Sequence, residues 1–309
     1  MNVFSNMDGL ASLPGPLVVA AGVFDGMHPG HKVVLQSALD AAGIAEGTAV
    51  ALTFDPHPSK ILRPQNAARL LTSTRHKLRL MEEFGMASVL VIPFDKGFAS
   101  VEAEDFLRQL SSAARDLVRI CVGTGWRFGR ARRGDADLLR RLGPGLDFET
   151  TEVRPVQIDG VTVSSTLIRQ FVESGDLESA SRFLGRNYSV LGTVIPGDGL
   201  GGKLGFPTAN LAAHNEQFPP DGVYAVRVHL GGRVISGVAN IGTRPTVKNS
   251  GERLLEVHLL DFSGDLYGQD IEAEFLRFLR PEKKFPDLDA LRVQIALDVR
   301  AAALGGPFT

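Results

Sequence analysis

Two histidines three residues apart are the first residues of this chain that could do chemistry. His28 and His31 lie in the stretch 22–31, G-V-F-D-G-M-H-P-G-H. This stretch follows an apolar run, 17–21, typical of a buried strand, and precedes a helical pattern in which Pro29 suits the first position. A helix that begins there presents free backbone N–H groups to a phosphate, and both imidazoles could donate to phosphoryl oxygens as negative charge develops.

Two other interpretations of this histidine pair stay open. The rings could do no more than cap the helix, or they could bind a metal ion, although a His-x-x-His pair without a third nearby ligand is weak support for zinc. We favour phosphate binding because glycines let the backbone approach a ligand closely. The candidate nucleotide-binding residues of this stretch are Gly22, Phe24, Asp25, Gly26 and Gly30.

Two segments further along the first half could contact a sugar, a nucleobase or a flavin. Asp55, in T-F-D-P-H-P, ends the next predicted strand and could accept from a sugar hydroxyl or a flavin ring N–H, although Asp-Pro also favours a simple turn. The stretch 123–130, G-T-G-W-R-F-G-R, combines arginine with aromatic rings. Phe128 there could help to cradle a ring, or it could belong to the core.

A run of hydroxyl side chains precedes a short helical pattern that begins near residue 167. Ser164, Ser165 and Thr166 could bind phosphate, and Arg169 could add a charge-assisted contact. The hydroxyls could instead do no more than cap the helix. Taken alone, the run favours capping, so a phosphate role depends on the motifs around it.

Apolar runs alternate with helical patterns up to about residue 184. Strands separated by helices indicate βαβ units and a mostly parallel sheet, whose ligands bind beyond the carboxyl ends of the strands. The histidine stretch lies at such an end. The predicted strands cover 17–21, 49–54, 88–94 and 117–122, and the predicted helices cover 32–42, 74–84 and 101–110.

The pattern changes after about residue 185, where strands separated by turns replace the helices. Such spacing is typical of an antiparallel barrel, and an amphipathic helix with apolar residues from Leu288 to Val299 would close it. The predicted strands cover 188–194, 223–230, 233–239, 254–262 and 271–278.

The second half contains a glycine-rich stretch, 197–210, with the sequence G-D-G-L-G-G-K-L-G-F-P-T-A-N. Its backbone N–H groups could wrap phosphates with help from Lys203, although the G-K-[ST] ending of a P-loop is absent and a plain hairpin is the alternative. Thr208 and Asn210 offer hard oxygen ligands of the kind that Mg²⁺ takes. The other candidate nucleotide-binding residues here are Gly197, Gly199, Gly205 and Pro207.

Composition and charge narrow the class of protein. The 309 residues suffice for two domains, and a formal net charge of -2 gives no basic footprint for nucleic acid. The single cysteine, Cys121, lies in an apolar run and excludes an internal disulfide framework. Neither a signal peptide nor a membrane-length apolar run is recognisable. We therefore expect a cytoplasmic protein without nucleic-acid or membrane partners, and the sequence is compatible with a homo-oligomer.

The motifs together resemble those of one family. G-x-F-D-G-x-H-x-G-H is similar to the HxGH nucleotidyltransferase signature in the form that bacterial bifunctional riboflavin kinase/FAD synthetases carry, and F-D-P-x-P and S-S-T-x-I-R resemble later motifs of the same module. The stretch that ends in P-T-A-N resembles the riboflavin kinase signature. P-D-G-V-Y, G-V-A-N-I-G-T-R-P-T and L-E-V-H-L-L-D-F extend the resemblance over nearly the whole chain.

This resemblance implies a Rossmann-like nucleotidyltransferase domain with a parallel sheet at 1–185 and a β-barrel riboflavin kinase domain with a closing helix at 186–309. It implies that ATP and Mg²⁺ serve to phosphorylate riboflavin to FMN, and that a second ATP adenylylates FMN to FAD with release of pyrophosphate. His28 and His31 would stabilise phosphate charge, and Glu256 would take the proton from the ribityl 5′-hydroxyl. The implied flavin contacts are Asp55, Phe128, Asn240 and Arg244.

The chain departs from the family pattern at a few positions. Gly125 stands where a polar residue is usual, and Pro196, Leu200 and Gly202 stand where histidine or arginine is common. Two alternatives follow from these differences. The chain could retain only one of the two activities, or it could be a non-catalytic flavin-binding regulatory protein.

Overall fold

The computed structural model describes residues 1–197, 199–214, 217–243 and 253–303. The chain divides into two compact units. The first, called the sheet unit below, comprises Met1–Leu70 and Thr74–Ser165. The second, the barrel unit, comprises Leu71–Ser73 and the described residues of Thr166–Thr309. The domain boundary expected between residues 185 and 186 stays a prediction.

A six-stranded sheet forms the centre of the sheet unit, with every pair of neighbouring strands parallel. The strand order is β1-β4-β3-β2-β5-β6, which confirms the predicted parallel sheet. The strands are β1 (Asn2–Phe4), β2 (Leu17–Ala21), β3 (Thr48–Asp55), β4 (Ser88–Pro93), β5 (Leu117–Gly123) and β6 (Glu149–Val153). Neither β1 nor β6 was predicted from the sequence, because β1 has only three residues and β6 is polar.

Helices cover both faces of this sheet. Alternate residues of β2 belong to two different hydrophobic clusters, with Leu17 and Val19 in one and Val18 and Ala20 in the other. Successive strand residues point to opposite faces, so each face has its own core. The helices are α1 (Pro29–Ile44), α2 (Pro58–Leu62), α3 (Thr74–Glu83), α4 (Lys96–Ala99), α5 (Ala103–Ala113) and α6 (Ala136–Leu142), and a small hairpin joins β7 (Gln157–Ile158) to β8 (Val161–Thr162).

The barrel unit contains a closed antiparallel barrel in the strand order β10-β13-β12-β11-β14-β9. The predicted barrel is therefore confirmed. One strand, β10, was missed because it is short, alanine-rich and continuous with the P-T-A-N motif. The strands are β9 (Ser189–Ile195), β10 (Ala209–Ala213), β11 (Gly222–Leu230), β12 (Arg233–Thr243), β13 (Arg253–Leu259) and β14 (Asp270–Arg280).

In the described residues from Ser165 onwards, helices precede, interrupt and follow the barrel strands in sequence. The expected closing helix is present as the last of them, and it packs on β11, β12 and β14. The helices are α7 (Ser165–Ser174), α8 (Leu177–Leu184), α9 (Leu200–Lys203) and α10 (Leu288–Ala303).

Candidate active sites

The segment between β2 and α1 forms a tight loop at the carboxyl edge of the sheet. Gly26 has a φ of 88°, and the non-glycine residues Phe24 and Met27 have φ values of 55° and 48°, all in the left-handed region. Such a backbone costs about 1–3 kcal/mol per non-glycine residue, and the buried side chains of Phe24 and Met27 hold it in place. Strain of this kind is concentrated at sites where a loop has to present groups to a ligand.

His28 and His31 lie face to face at the start of α1. Their ring centroids are 3.6 Å apart, with an interplanar angle of 19°. His28 is the N-cap of the helix, and its Nδ1 accepts from the backbone N–H of His31 at 3.4 Å. His28 therefore does cap the helix, as one of the interpretations from the sequence predicted. Because its Nδ1 accepts this hydrogen bond, a neutral His28 carries its proton on Nε2. The Nδ1 atom of His31 is buried and has no hydrogen-bond partner among the described residues.

The electrostatic surroundings keep His31 uncharged. Burial, the neighbouring His28 ring and the ammonium of Lys77 together hold the pKa of His31 well below its usual value of 6.5. His31 is thus neutral near pH 7, which agrees with the close stacking of the two rings. A neutral imidazole still carries one N–H, so the pair can supply donors to phosphoryl oxygens without a prior protonation step.

Sequence reasoning missed a charged residue next to this loop. Lys77, on α3, is only 5% exposed, and its Nζ donates to Val23 O at 3.1 Å and to Thr53 Oγ1 at 2.9 Å. Burial lowers the pKa of Lys77 to about 8, against the opposing effect of Asp25 and Asp55. A signal was available in the sequence, because this lysine lies on the helix face that the pattern marks as apolar.

Two other candidate residues of the sheet unit, Asp55 and Phe128, differ in exposure. Asp55 ends β3 at the same sheet edge, and it is exposed and accepts from Thr74 Oγ1 at 2.7 Å. Phe128 is buried, with its ring 4.6 Å from that of Trp126 and 5.7 Å from that of Phe106. The core interpretation of Phe128 is therefore correct as packing. Flavin contacts by Asp55 and Phe128 stay predictions.

A hydrogen bond joins the hydroxyl run to the histidine loop. Ser165 Oγ donates to Asp25 O at 2.8 Å, and Ser164 immediately precedes it in the sequence. Within the sheet unit, Ser165 is thus in contact with the loop that carries the two histidines. Thr166 and Arg169 follow on α7, in residues that belong to the barrel unit.

Gly125 adopts a conformation that suits glycine. Its φ is 83°, and a Cβ built on it meets no atom within 4 Å. A side chain at this position would therefore extend into open space, and only the backbone conformation would resist it. Asparagine tolerates the left-handed region better than most residues, so the polar residue usual in the family is sterically admissible here.

In the barrel unit, three polar residues form a row across neighbouring strands. Asn210 on β10 lies directly opposite Glu256 on β13, and Glu256 lies directly opposite Asn240 on β12. Directly opposed residues present their side chains on one face of a sheet. All three line a cavity of about 710 Å³, a volume typical of small-molecule and cofactor sites.

The buried end of this row has an unused acceptor. Asn210 is buried, and its Oδ1 has no hydrogen-bond partner in the part of the chain that the structure describes. The backbone of Gly197 packs on the same amide so closely that an added Cβ would lie 2.0 Å from Asn210 Nδ2. Thr208 lines the same cavity. An unpartnered amide oxygen and a hydroxyl residue that line one cavity are oxygen donors of the kind that fits Mg²⁺.

His258 holds the peptide that precedes Thr208. It lies two residues after Glu256 on β13 and therefore on the same face of the strand. Its Nδ1–H donates to Pro207 O at 2.7 Å, and its ring meets the Phe206 ring edge-on at 5.6 Å. This contact fixes the proton on Nδ1 and ties β13 to the glycine-rich stretch.

The segment 280–285 forms one wall of the cavity. Arg280 makes a forked ion pair with Asp298 of α10, with N···O distances of 2.7–3.1 Å. Glu282 accepts from Asn240 Nδ2 at 3.1 Å, which connects this wall to the polar row. Because Asp298 is only 5% exposed, its ion pair with Arg280 holds the closing helix firmly to the end of β14.

The other residues predicted for the barrel site differ in whether they line the cavity. Gly199 lines the cavity, whereas Lys203, Gly205 and Pro207 are exposed. Arg244 lies outside the described residues, so its flavin contact stays a prediction.

The described residues contain no group of three or more His, Cys, Asp or Glu side chains that could hold a metal ion, so the histidine pair has no third ligand of these types there. They also contain no helix with the length and apolarity needed to cross a bilayer. Cys121 is a buried free thiol, as the sequence analysis expected.

Comparisons with known proteins match both halves of the chain. A family model described as FAD synthetase matches residues 11–167, and one described as riboflavin kinase matches residues 184–304. The bifunctional riboflavin kinase/FMN adenylyltransferase of Escherichia coli (strain K12) is 39% identical over 282 residues, which cover 91% of this chain and 90% of that protein. The protein of the same name from Pseudomonas fluorescens is 36% identical over 291 residues, with coverages of 94% and 93%.

Among the solved structures that are similar to this chain is one that matches over almost its full length. It is described as a macrolide-efflux protein from Streptococcus pneumoniae, and it covers 98% of this chain and 99% of its own, with a TM-score of 0.82 and 27% identity. Together, the fold, the two sites and the matches define a transferase that combines a nucleotidyltransferase domain with a kinase domain. The chain belongs to the family of bifunctional riboflavin kinase/FMN adenylyltransferases.

Proposed function

We propose that the barrel unit phosphorylates riboflavin to FMN and that the sheet unit joins FMN to the AMP moiety of ATP, giving FAD and pyrophosphate. The single observation that carries this assignment is that one chain holds both constellations. The sheet unit has the stacked pair of His28 and His31 at a helix N-terminus, and the barrel unit has the row of Asn210, Glu256 and Asn240 in a cavity.

In the kinase reaction, Glu256 acts as the base. Its carboxylate takes the proton from the ribityl 5′-hydroxyl, whose oxygen forms a bond to the γ-phosphorus of ATP as the bond to the ADP oxygen breaks. Thr208 and Asn210 would hold Mg²⁺, which, when bound, neutralises charge on the phosphate oxygens. The unpartnered Oδ1 of Asn210 supports this assignment, and His258 keeps Thr208 in place through the Pro207 carbonyl.

In the adenylyl transfer, no side chain of the protein needs to act as a nucleophile. A phosphate oxygen of FMN bonds to the α-phosphorus of ATP while the bond to pyrophosphate breaks. His28 and His31 donate to the phosphate oxygens on which negative charge develops, and Ser164, Ser165 and the start of α7 support them. The lowered pKa of His31 supports a neutral donor in this role.

The alternatives from the sequence analysis are tested by one experiment. A chromatographic time course starts from riboflavin, ATP and Mg²⁺, and a second starts from FMN. We expect FMN and then FAD in the first, and FAD in the second. FMN that accumulates without FAD would implicate Gly125, FAD formed only from added FMN would implicate the stretch around Leu200 and Gly202, and binding without turnover would favour the regulatory protein.

Three smaller assignments belong to the same proposal. We propose Mg²⁺ as the metal, a cytoplasmic location in view of the single cysteine, and no nucleic-acid partner in view of the net charge of -2. A homo-oligomer is compatible with the chain, and light scattering of the purified protein tests it. Replacement of Mg²⁺ by Ca²⁺ in the time course tests the metal, because Mg²⁺ demands a tighter octahedral geometry.

A further inference from the structure

A buried lysine next to the histidine loop has no role in the reaction described above. Lys77 donates to the carbonyl oxygen of Val23, which directly precedes the strained Phe24, and to the hydroxyl of Thr53 near the end of β3. Thr53 Oγ1 in turn donates to Val23 O at 2.9 Å. Three elements, the loop, β3 and α3, are thus joined through one ammonium group.

The charged groups that face this ammonium come from each element around it. Asp25 belongs to the loop and Asp55 to β3, and both carboxylates favour the charged form of Lys77. His31, at the start of α1, experiences the positive charge of Lys77 as a contribution that keeps its ring neutral. On α3 itself, Thr74 donates to Asp55. The ammonium is therefore electrostatically connected to the groups expected to contact phosphate.

Packing alone does not account for a lysine at this position. Burial of an ammonium group costs free energy even when hydrogen bonds compensate part of it, and a methionine of similar length would fill the space without that cost. A positive charge close to a site where phosphate charge develops does have a use, because such a preorganised charge stabilises the transition state.

We propose that Lys77 is a positioning residue for adenylyl transfer, which anchors the loop that carries His28 and His31 to β3 and supplies a fixed positive charge beside this pair. The inference rests on the proposed function of the sheet unit. It predicts an effect on the chemical step more than on substrate binding, and it predicts that arginine can replace the charge whereas methionine cannot.

The experiment compares Lys77→Met, Lys77→Arg and the matched control Lys96→Met, which changes an exposed lysine of the same unit. The readout is kcat and KM for FAD formation from FMN and ATP. Trp126, the single tryptophan of the chain, lies in the sheet unit, so its fluorescence reports the folding of that unit in each variant. FMN formation from riboflavin in the same samples checks the barrel unit.

We expect Lys77→Met to lower kcat for FAD formation by about 100-fold, with KM changed by less than about threefold. Lys77→Arg should recover kcat to within about tenfold of the native value, and Lys96→Met should leave it unchanged. A Lys77→Met variant with native kcat would overturn the inference. An equally inactive Lys77→Arg variant with native Trp126 fluorescence would also overturn it, because the retained charge would then have no effect.

The pH dependence of kcat in the native protein tests the same inference without a substitution that could impair folding. Since Lys77 loses its proton around pH 8, kcat for FAD formation should fall above that pH, whereas FMN formation should not show the same limb. A native profile for FAD formation that stays flat from about pH 7 to 9.5 would contradict the inference.

His28→Ala separates a failure of this inference from a failure of the proposed function. If His28→Ala abolishes FAD formation while Lys77→Met does not, only the role of Lys77 is wrong. If His28→Ala forms FAD at the native rate, the assignment of adenylyl transfer to the histidine loop is itself wrong.

Discussion

The two sites of this chain are built in opposite ways. In the sheet unit, one continuous loop carries both histidines, and its backbone is held in left-handed conformations at Phe24 and Met27. In the barrel unit, Asn210, Glu256 and Asn240 come from three different strands and share one cavity because the strands pair in a fixed register. A loop site therefore depends on local strain, whereas a barrel site depends on long-range pairing.

The two sites also differ in the titratable groups that surround them. In the histidine loop, burial, the His28 ring and the Lys77 ammonium together lower the pKa of His31, so the chemistry of this loop depends on titratable groups. The row in the barrel combines one carboxylate with two amides that do not titrate. We therefore expect a loss of activity above about pH 8 in FAD formation and not in FMN formation.

The largest expected effect separates the two sites completely. His28→Ala should lower FAD formation from FMN by about 1,000-fold or more, because it removes a donor to the developing phosphate charge and the N-cap of α1. FMN should still accumulate from riboflavin at the native rate. A parallel loss of FMN formation in a folded variant would show that the two sites are not independent.

Glu256→Gln should have the opposite effect, with loss of FMN formation and retention of FAD formation from added FMN. This change keeps the shape of the side chain but removes the base, so FMN formation from riboflavin should fall by about 100-fold to 10,000-fold. Conversion of added FMN to FAD should continue, as chromatography of both products can check. Native FMN formation by this variant would exclude Glu256 as the base.

A pair of glycine changes tests how closely the barrel site depends on packing. In Gly197→Ala, the new Cβ would lie 2.0 Å from Asn210 Nδ2, whereas at Gly202 a Cβ meets no atom within 4 Å. Gly197→Ala should therefore weaken the response of FMN formation to Mg²⁺ by about tenfold or more, and Gly202→Ala should not. Equal Mg²⁺ titrations for the two variants would contradict the assignment of Asn210 as a ligand.

The smallest effect concerns stability and belongs to the sheet unit alone. Lys77 titrates at about 8 in the folded chain and at about 10.4 when unfolded, so between these values the unfolded state binds more protons. Its contribution to the free energy of unfolding should therefore rise with pH across this window, by about 3 kcal/mol in total. Urea unfolding followed by Trp126 fluorescence at pH 7.5 and 10, for the native chain and Lys77→Met, measures it. Parallel changes in the two proteins would show that the lysine is not the group responsible.

The sequence predicted those features whose physical cause is local. The apolar run before the histidines, Pro29 at the first helical position and the alternation of strands and helices were enough for the parallel sheet and for the position of the loop. The barrel and its closing helix were also predicted, because turn-separated strands have a recognisable spacing. The family resemblance added the roles of Glu256, Thr208 and Asn210, and these roles remain predictions.

The features that the sequence did not predict depend on distant contacts. Strand β10 was missed because alanine-rich residues have little strand propensity, and only pairing with β9 and β13 makes them a strand. The contacts of Lys77 could not be predicted from the sequence. A lysine on an apolar helix face indicates burial, but it does not indicate which carbonyl oxygen will accept its hydrogen bond. The row of polar residues could be recognised only from the strand register, which places Asn210 directly opposite Glu256, 46 residues further along the chain.

The strand order determines which part of the chain has unpaired strand edges, where self-association can begin. The barrel closes on itself within the described residues, whereas the open sheet ends in β1 and β6. Unpaired strand edges are templates for aggregation, and β6 carries Glu149 and Glu152, each paired with an arginine, which discourages a second chain from adding there. The sheet unit, at its β1 edge, is therefore where we expect self-association to begin when the protein is concentrated or partly unfolded.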